Sequence, residues 1–142
     1  MRLRNLLPAV APVAAVTLAL TIFSSNVGAS AEDRPPRSCA VAYRITDEWN
    51  GGFNGAITVI NTGDAVVNGW SLRWTFPDGQ VATTVWDGVA VAKGPDVTIR
   101  STPTNAVLPR AGTVMFGFTG SARSRNTPPP VFTLNGVACT LA

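Results

Sequence analysis

The chain has 142 residues, of which 46% are hydrophobic and 13% are charged, and it contains no histidine. This composition argues against a disordered chain or a coiled coil, and the length allows one domain, or one domain with a leader. The lack of histidine excludes Ser-His-Asp and Cys-His catalysis and every histidine-ligated metal site. Two cysteines are too few for an all-cysteine zinc site or an iron–sulfur cluster, so we predict no metal and no cofactor.

Residues 1–31 have the features of a secretory signal peptide. Arginines precede an uncharged apolar run over residues 6–23, and small residues follow at Ala29 and Ala31, spaced as a cleavage site requires. The run is about long enough to span a membrane, which makes a membrane anchor the alternative. The flanking residues favour the signal peptide, and we therefore expect a secreted, extracellular protein.

Removal of this leader changes the charge balance. Two of the 11 basic residues and none of the 8 acidic residues lie in it, so residues 32–142 carry 9 basic and 8 acidic groups, a net charge of +1. The basic residues stand mostly singly, and we predict no nucleic acid and no membrane as a partner after cleavage. We divide the remainder into a polar tether, residues 32–38, and one free-standing monomeric domain, residues 39–142.

The two cysteines stand at the ends of that domain. Export places them in an oxidising compartment. Because Cys39 opens the domain and Cys139 nearly closes it, we predict a disulfide between them, with free thiols as the alternative. A bridge that closes a loop of about 100 residues adds up to ~4.7 kcal/mol in the chain-entropy model, which suits a domain with a small core.

Short alternating runs of apolar and polar residues recur along the domain. They predict strands over residues 39–46, 56–62, 70–76, 81–86, 97–101, 113–119 and 131–134. Clusters of Asn, Gly, Asp and Pro separate them, at residues 50–52, 61–64, 68–69, 77–79, 93–96 and 109–112. About eight short strands joined by such turns predict an all-β fold, an antiparallel β-sandwich of jelly-roll or immunoglobulin-like type.

The four tryptophans divide into two pairs. Trp70 and Trp74 share one face of an alternating strand with other apolar residues, so we predict that they pack in the core. Trp86 falls on the strand face opposite the valines, and Trp49 lies among polar and turn residues. We predict that both are exposed, with a core position at a strand end as the alternative. An exposed indole suits a sugar, because the apolar C–H face of a pyranose stacks on the ring.

Seven segments spread through the domain form a recognisable series. They are Cys39–Tyr43, Glu48–Phe53, Val59–Gly63, Asn68–Leu72, Phe76–Gln80, Phe116–Phe118 and Phe132–Thr140. In this order and at this spacing they resemble the family 2 carbohydrate-binding modules, the cellulose-binding type attached to actinobacterial cellulases and xylanases. The resemblance implies a β-sandwich with a terminal disulfide and a non-catalytic, polysaccharide-binding role.

In cellulose-binding members of that family, three exposed tryptophans form a flat strip. The resemblance places Trp49 and Trp86 at the first two positions, and Thr104 stands where the third tryptophan is usual. The polar residues that flank the strip are expected to contact the ligand as well; they are Asp47, Asn50, Thr84 and Asn105. The family usually has asparagine at position 47 and glutamine at position 84. The distance from Trp86 to the turn at residues 109–112 matches the cellulose-binding subgroup rather than the xylan-binding one.

The sequence therefore predicts a module that adsorbs to insoluble β-1,4-glycan, with cellulose first and chitin or xylan next. The alternative is a protein-interaction module that has lost sugar binding, which Thr104 supports. A small glycoside hydrolase is the weaker alternative, because hydrolysis needs two carboxylates across a cleft and most acidic residues of the domain lie in turns. Asp47 and Glu48 are neighbours and would point apart in a strand, so we predict no catalytic residue.

Overall fold

The structure, a computed structural model, describes residues 9–14 and 37–142. The chain divides into two units, residues 1–34 and 35–142. Residues 9–14 form no regular structure, and the rest of the expected signal peptide lies outside the described residues, as does most of the tether. The leader therefore stays a prediction. Within the described ranges, no helix is long and apolar enough to cross a membrane.

Short strands make up residues 37–142. In chain order they are β1 (Cys39–Trp49), β2 (Gly52–Asn61), β3 (Val67–Asn68), β4 (Ser71–Thr75), β5 (Val81–Trp86), β6 (Val89–Lys93), β7 (Asp96–Arg100), β8 (Val107–Leu108), β9 (Thr113–Ser121), β10 (Phe132–Leu134), β11 (Val137–Ala138) and β12 (Thr140–Leu141). All seven predicted strands are present, and this part of the chain contains no helix, which confirms the all-β prediction.

The strands form two five-stranded sheets that enclose one core. The first sheet has the order β12-β1-β2-β9-β5 and the second has the order β11-β10-β4-β7-β6, while β3 and β8 form a separate two-stranded ribbon. Neighbouring strands are antiparallel except for β1 and β12, which run parallel. Alternate residues of both sheets are buried against each other. The predicted antiparallel sandwich is thereby confirmed.

Aromatic side chains fill the centre of the core. Trp70 is stacked on Phe116, with ring centroids 5.5 Å apart, and its indole N–H donates to the Asn105 carbonyl over 2.9 Å. Trp74 packs against Phe132, with centroids 5.7 Å apart. Both tryptophans are buried, which confirms their predicted core positions.

The predicted disulfide is also present. It joins Cys39, the first residue of β1, to Cys139, which lies between β11 and β12. The pairing of β12 with the start of β1 continues this closure, with Ala40 opposite Thr140. Covalent and hydrogen bonds therefore hold both ends of the domain together at one edge of the first sheet.

Two glycines of the central strands make room for core phenylalanines. Gly55 of β2 is paired with Phe118 of β9, and Gly120 of β9 is paired with Phe53 of β2. A Cβ atom on Gly120 would lie 2.6 Å from two ring carbons of Phe53, and one on Gly55 would lie 2.5 Å from Phe118. Both phenylalanines are buried and meet edge to face, with centroids 5.6 Å apart. The packing at the centre of the sandwich therefore depends on the absence of these two side chains.

A buried glutamine fastens the loop after β9 to the turn between β4 and β5. The side-chain oxygen of Gln80 accepts the Asp78 N–H over 2.8 Å, and its amide donates to the side-chain oxygen of Asn126 and to the Thr127 carbonyl. Asn126 in turn donates to the Glu48 carboxylate over 2.9 Å. The loop is thus held against the end of β1.

We expect Gly120→Ala to destabilise the domain by about 1–3 kcal/mol, because the added methyl group has to displace a buried phenylalanine ring. Urea unfolding followed by tryptophan fluorescence would measure this loss. The matched control is Gly117→Ala on the same strand, whose methyl group would point away from the core. Equal stability of the two variants would contradict the prediction.

The Asp78 carboxyl gives the fold a pH dependence. Its pKa is lowered by the hydroxyl and by the backbone N–H of Thr127, the latter at 2.7 Å. The contribution to stability is complete above the unfolded pKa of about 3.9 and is lost as the pH falls through the lower native pKa. We expect Asp78→Asn to reduce the difference in unfolding free energy between about pH 6 and about pH 2. An unchanged difference would contradict this assignment, and Thr127→Val should show part of the effect.

Candidate functional site

The outer face of the first sheet carries the two exposed tryptophans. Trp49 ends β1 and is paired with Gly52 of β2, while Trp86 ends β5 and is paired with Gly117 of β9. Paired residues of antiparallel strands share a face, and Phe53 beside Gly52 and Phe116 and Phe118 beside Gly117 are buried in the core. The indoles therefore project away from the core. Their exposed fractions are 51% and 44%, which confirms that both are exposed.

Each indole lies on bare backbone. A Cβ atom on Gly52 would lie 2.6, 2.7 and 2.9 Å from the Nε1, Cε2 and Cζ2 atoms of Trp49, and the same three atoms of Trp86 cover Gly117. In both cases the nitrogen-bearing edge of the indole is the part of the ring nearest to the glycine. Both glycines are buried although they lie on the outer face. Each indole is thus packed against the sheet while about half of its surface stays exposed.

The register of β2 and β9 separates the two indoles along the sheet. Gly52 is paired with Ser121, which lies four residues from Gly117 on β9. At about 3.4 Å per residue and about 4.8 Å between strands, the two covered glycines are about 14 Å apart. One sugar ring cannot touch both indoles at that separation, whereas an extended polymer can.

A row of four polar residues crosses the sheet between the indoles. Asp47, Asn54, Thr119 and Thr84 are paired in this order on β1, β2, β9 and β5. The Thr119 hydroxyl donates to the Asn54 side-chain oxygen over 2.8 Å, and the Asn54 amide lies 3.5 Å from the Asp47 carboxylate. The predicted residues Asp47 and Thr84 are therefore the two ends of this row. Sequence reasoning missed Asn54 and Thr119, although both alternate with buried residues and so had to face outward.

Asn105 fixes the loop beside Trp86. Its amide donates to the carbonyl of Asp87 over 2.7 Å, and its side-chain oxygen accepts the N–H of Thr102 over 2.8 Å. Asp87 directly follows Trp86, so these bonds join the loop over residues 101–106 to the turn at the end of β5. Both polar groups of the Asn105 side chain have partners within the protein. A ligand contact by Asn105 stays a prediction.

The remaining predicted residues lie at the two ends of the surface. Asn50 is exposed in the turn after Trp49. It lines an open groove of about 330 Å³ together with Glu48, Arg123 and Arg125. At the other end, Thr104 is exposed, and its hydroxyl lies 3.1 Å from that of Thr102. The ligand contacts of both residues stay predictions.

The outer face therefore combines two flat apolar rings with hydrogen-bonding groups between them. Stacking of a C–H surface on the rings and hydrogen bonding to its edge are the interactions that this arrangement offers. In the part of the chain that the structure describes, no group of three or more Asp, Glu or Cys side chains could hold a metal ion.

Comparison with known proteins places the domain in a family. A family model described as a cellulose binding domain matches residues 39–139. Exoglucanase A of Cellulomonas fimi is 40% identical over 118 residues, which cover 83% of this chain and 13% of that protein. The chain thus spans only a small part of this relative, whose catalytic part lies outside the matched region.

Two solved structures share the fold over nearly their whole length. The chitin-binding domain of Chi18aC from Streptomyces coelicolor has a TM-score of 0.58 and 32% identity, and the match covers 72% of this chain and 94% of that one. The cellulose-binding family 2 domain from ScLPMO10C has a TM-score of 0.55 and 30% identity, with coverage of 73% and 96%. The family model, this relative and these structures agree on a non-catalytic binding module, and the chain belongs to family 2 of the carbohydrate-binding modules.

Proposed function

We propose that the protein is a secreted module that adsorbs to insoluble β-1,4-glycan by stacking Trp49 and Trp86 on sugar rings. Cellulose is the first expected ligand, and chitin or xylan the next. The observation that carries this proposal is the placement of both half-exposed indoles over glycines of one sheet face. Rings in this position present their free sides to an extended polymer.

The energetics of stacking fit this role. An indole that covers about 100 Å² of apolar sugar surface contributes at most ~2–3 kcal/mol. Two such rings that act on one chain give useful affinity without any bond cleavage. The row of polar residues between the indoles supplies hydrogen-bond donors and acceptors for the hydroxyl groups at the edges of the sugar rings. These hydroxyl groups can therefore stay hydrogen-bonded while the indoles cover the C–H faces.

The named ligands of the two solved domains support this choice of polymer. One is described as chitin-binding and the other as cellulose-binding, and both polymers are insoluble chains of β-1,4-linked pyranoses. Their identities to this chain, 32% and 30%, are nearly equal and do not rank the two ligands. Adsorption to each polymer in turn is the measurement that ranks cellulose and chitin as ligands.

Secretion and a monomeric state complete the proposal. The signal-like residues 1–31 support export, and so does the disulfide, since such bonds persist in oxidising compartments. After cleavage, the domain acts at the polymer surface and not at a membrane.

The test is depletion of the protein from solution by microcrystalline cellulose, by chitin and by insoluble xylan. The full chain is expressed for secretion and used as the host processes it. We expect one of these polymers to deplete the wild type. Trp49→Ala or Trp86→Ala should weaken adsorption by about 1–3 kcal/mol, about fivefold to more than a hundredfold. Because both rings lie outside the core, the unfolding midpoint should change little.

Val91→Thr is the matched control, since it replaces an exposed apolar side chain on the other sheet. It should adsorb as the wild type does. Failure of all three polymers to deplete the wild type would refute the proposal, and the search would turn to a protein partner. Adsorption that survives both tryptophan substitutions would refute the stacking mechanism.

We expect Gly117→Ala to weaken adsorption about tenfold without loss of folding. The added methyl group would occupy the place of the Trp86 ring, which must move away from its position over the glycine. Adsorption isotherms measure the affinity, and reaction with an aqueous indole oxidant reports the ring exposure. Gly120→Ala is the matched control, because it should lose stability while its folded fraction adsorbs normally. If Gly117→Ala binds with wild-type affinity, the position of Trp86 over Gly117 does not contribute to adsorption.

A further inference from the structure

A third large apolar side chain lies exposed on the face that carries the two indoles. Met115 of β9 has an exposed fraction of 60% between the buried residues Val114 and Phe116. Among the exposed large apolar residues of the described chain, only Trp49, Trp86 and Met115 belong to β1, β2, β9 and β5, the four antiparallel strands of the first sheet. Met115 thus extends the exposed apolar surface of the two indoles, and extended apolar surfaces of this kind mark interaction sites.

The position of Met115 continues the line of the two indoles. It lies two residues beyond Gly117, the glycine under Trp86, on the side away from Ser121, whose pair Gly52 lies under Trp49. At about 3.4 Å per residue, Met115 is about 7 Å from Gly117 and about 20 Å from Ser121 along β9. Since β2 and β9 are adjacent strands, Gly52, Gly117 and Met115 all lie within about one strand spacing of a straight line.

We propose that Met115 is a third apolar contact for the polysaccharide, on a sugar ring beyond the one stacked on Trp86. This inference rests on the proposed function, because it assumes that a glycan chain lies along the two indoles. The occupant is the same β-1,4-glycan chain, extended along β9.

The surroundings and the chemistry of Met115 suit this role. Its cross-strand partner is Thr58, which is itself paired with Ala42, so the row carries no charge that a sugar would have to desolvate. The unbranched thioether has several rotatable bonds and can adapt to an irregular apolar surface. It can therefore follow the C–H face of a sugar ring without being flat.

The test compares adsorption isotherms of the full chain and three variants on the polymer that depletes the wild type. We expect Met115→Thr to bind about three- to tenfold more weakly, because it removes most of the apolar area. Met115→Leu keeps that area and should recover most of the affinity. Val91→Thr, whose exposed fraction in the wild type is 61%, is the matched control and should bind as the wild type does.

Trp86→Ala separates failure of this inference from failure of the proposed function. If Met115→Thr adsorbs like the wild type while Trp86→Ala does not, the role of Met115 is wrong and the stacking mechanism stands. If Trp86→Ala also adsorbs like the wild type, the proposed function fails, and the inference fails with it.

Oxidation gives a second test that needs no change of sequence. Mild peroxide converts an exposed methionine to the polar sulfoxide, and methionine sulfoxide reductases reverse this. We expect oxidation to weaken adsorption and reduction to restore it. Met115→Leu is the control for oxidation elsewhere, including at Met1, the other methionine of the chain, and the same treatment should leave its adsorption unchanged. Equal losses in both proteins would overturn the assignment to Met115.

Discussion

The packing on both faces of the central strands, β2 and β9, depends on four cross-strand pairs of a glycine and an aromatic residue. On the core face, Gly55 lies opposite Phe118 and Gly120 lies opposite Phe53. On the outer face, Gly52 lies opposite Trp49 and Gly117 lies opposite Trp86. In each pair the aromatic ring occupies the space that a side chain would need if the glycine were replaced by another residue. The strands β2 and β9, which supply all four glycines, are thus covered by aromatic rings on both faces.

This arrangement links the stability of the domain to the spacing of the two exposed indoles. The register that brings Phe53 over Gly120 also fixes the distance between Gly52 and Gly117, because all four residues belong to the same β2–β9 ladder. A slip of one residue exchanges the two faces of a strand, so in β9 it would turn Phe118 outward and Gly117 toward the core. The packing of the core and the spacing of the two indoles therefore depend on the same strand register.

Alternation and turn residues were enough to predict the sandwich, the seven main strands and the burial of each tryptophan pair. They did not reveal β6, whose Val89-Ala90-Val91-Ala92 sequence has no polar alternation, or the two-residue strands, which depend on pairing partners far along the chain. The polar row with Asn54 and Thr119 was missed for a related reason. A sequence shows which residues face outward but not which residues of other strands lie beside them. The loop bonds of Asn105 are likewise tertiary.

The disulfide at one end of β1 and Trp49 at the other end give the domain a defined mechanical path. Tension on the chain outside residues 39 and 139 passes through the sulfur–sulfur bond and bypasses the 100-residue segment between them. Tension applied between Cys39 and Trp49 acts over about 30 Å along β1 itself. Because both residues belong to this one strand, its covalent backbone carries the force, and the hydrogen bonds between β1 and β2 are not pulled apart one after another. A domain loaded through these two residues is therefore not opened from its edge.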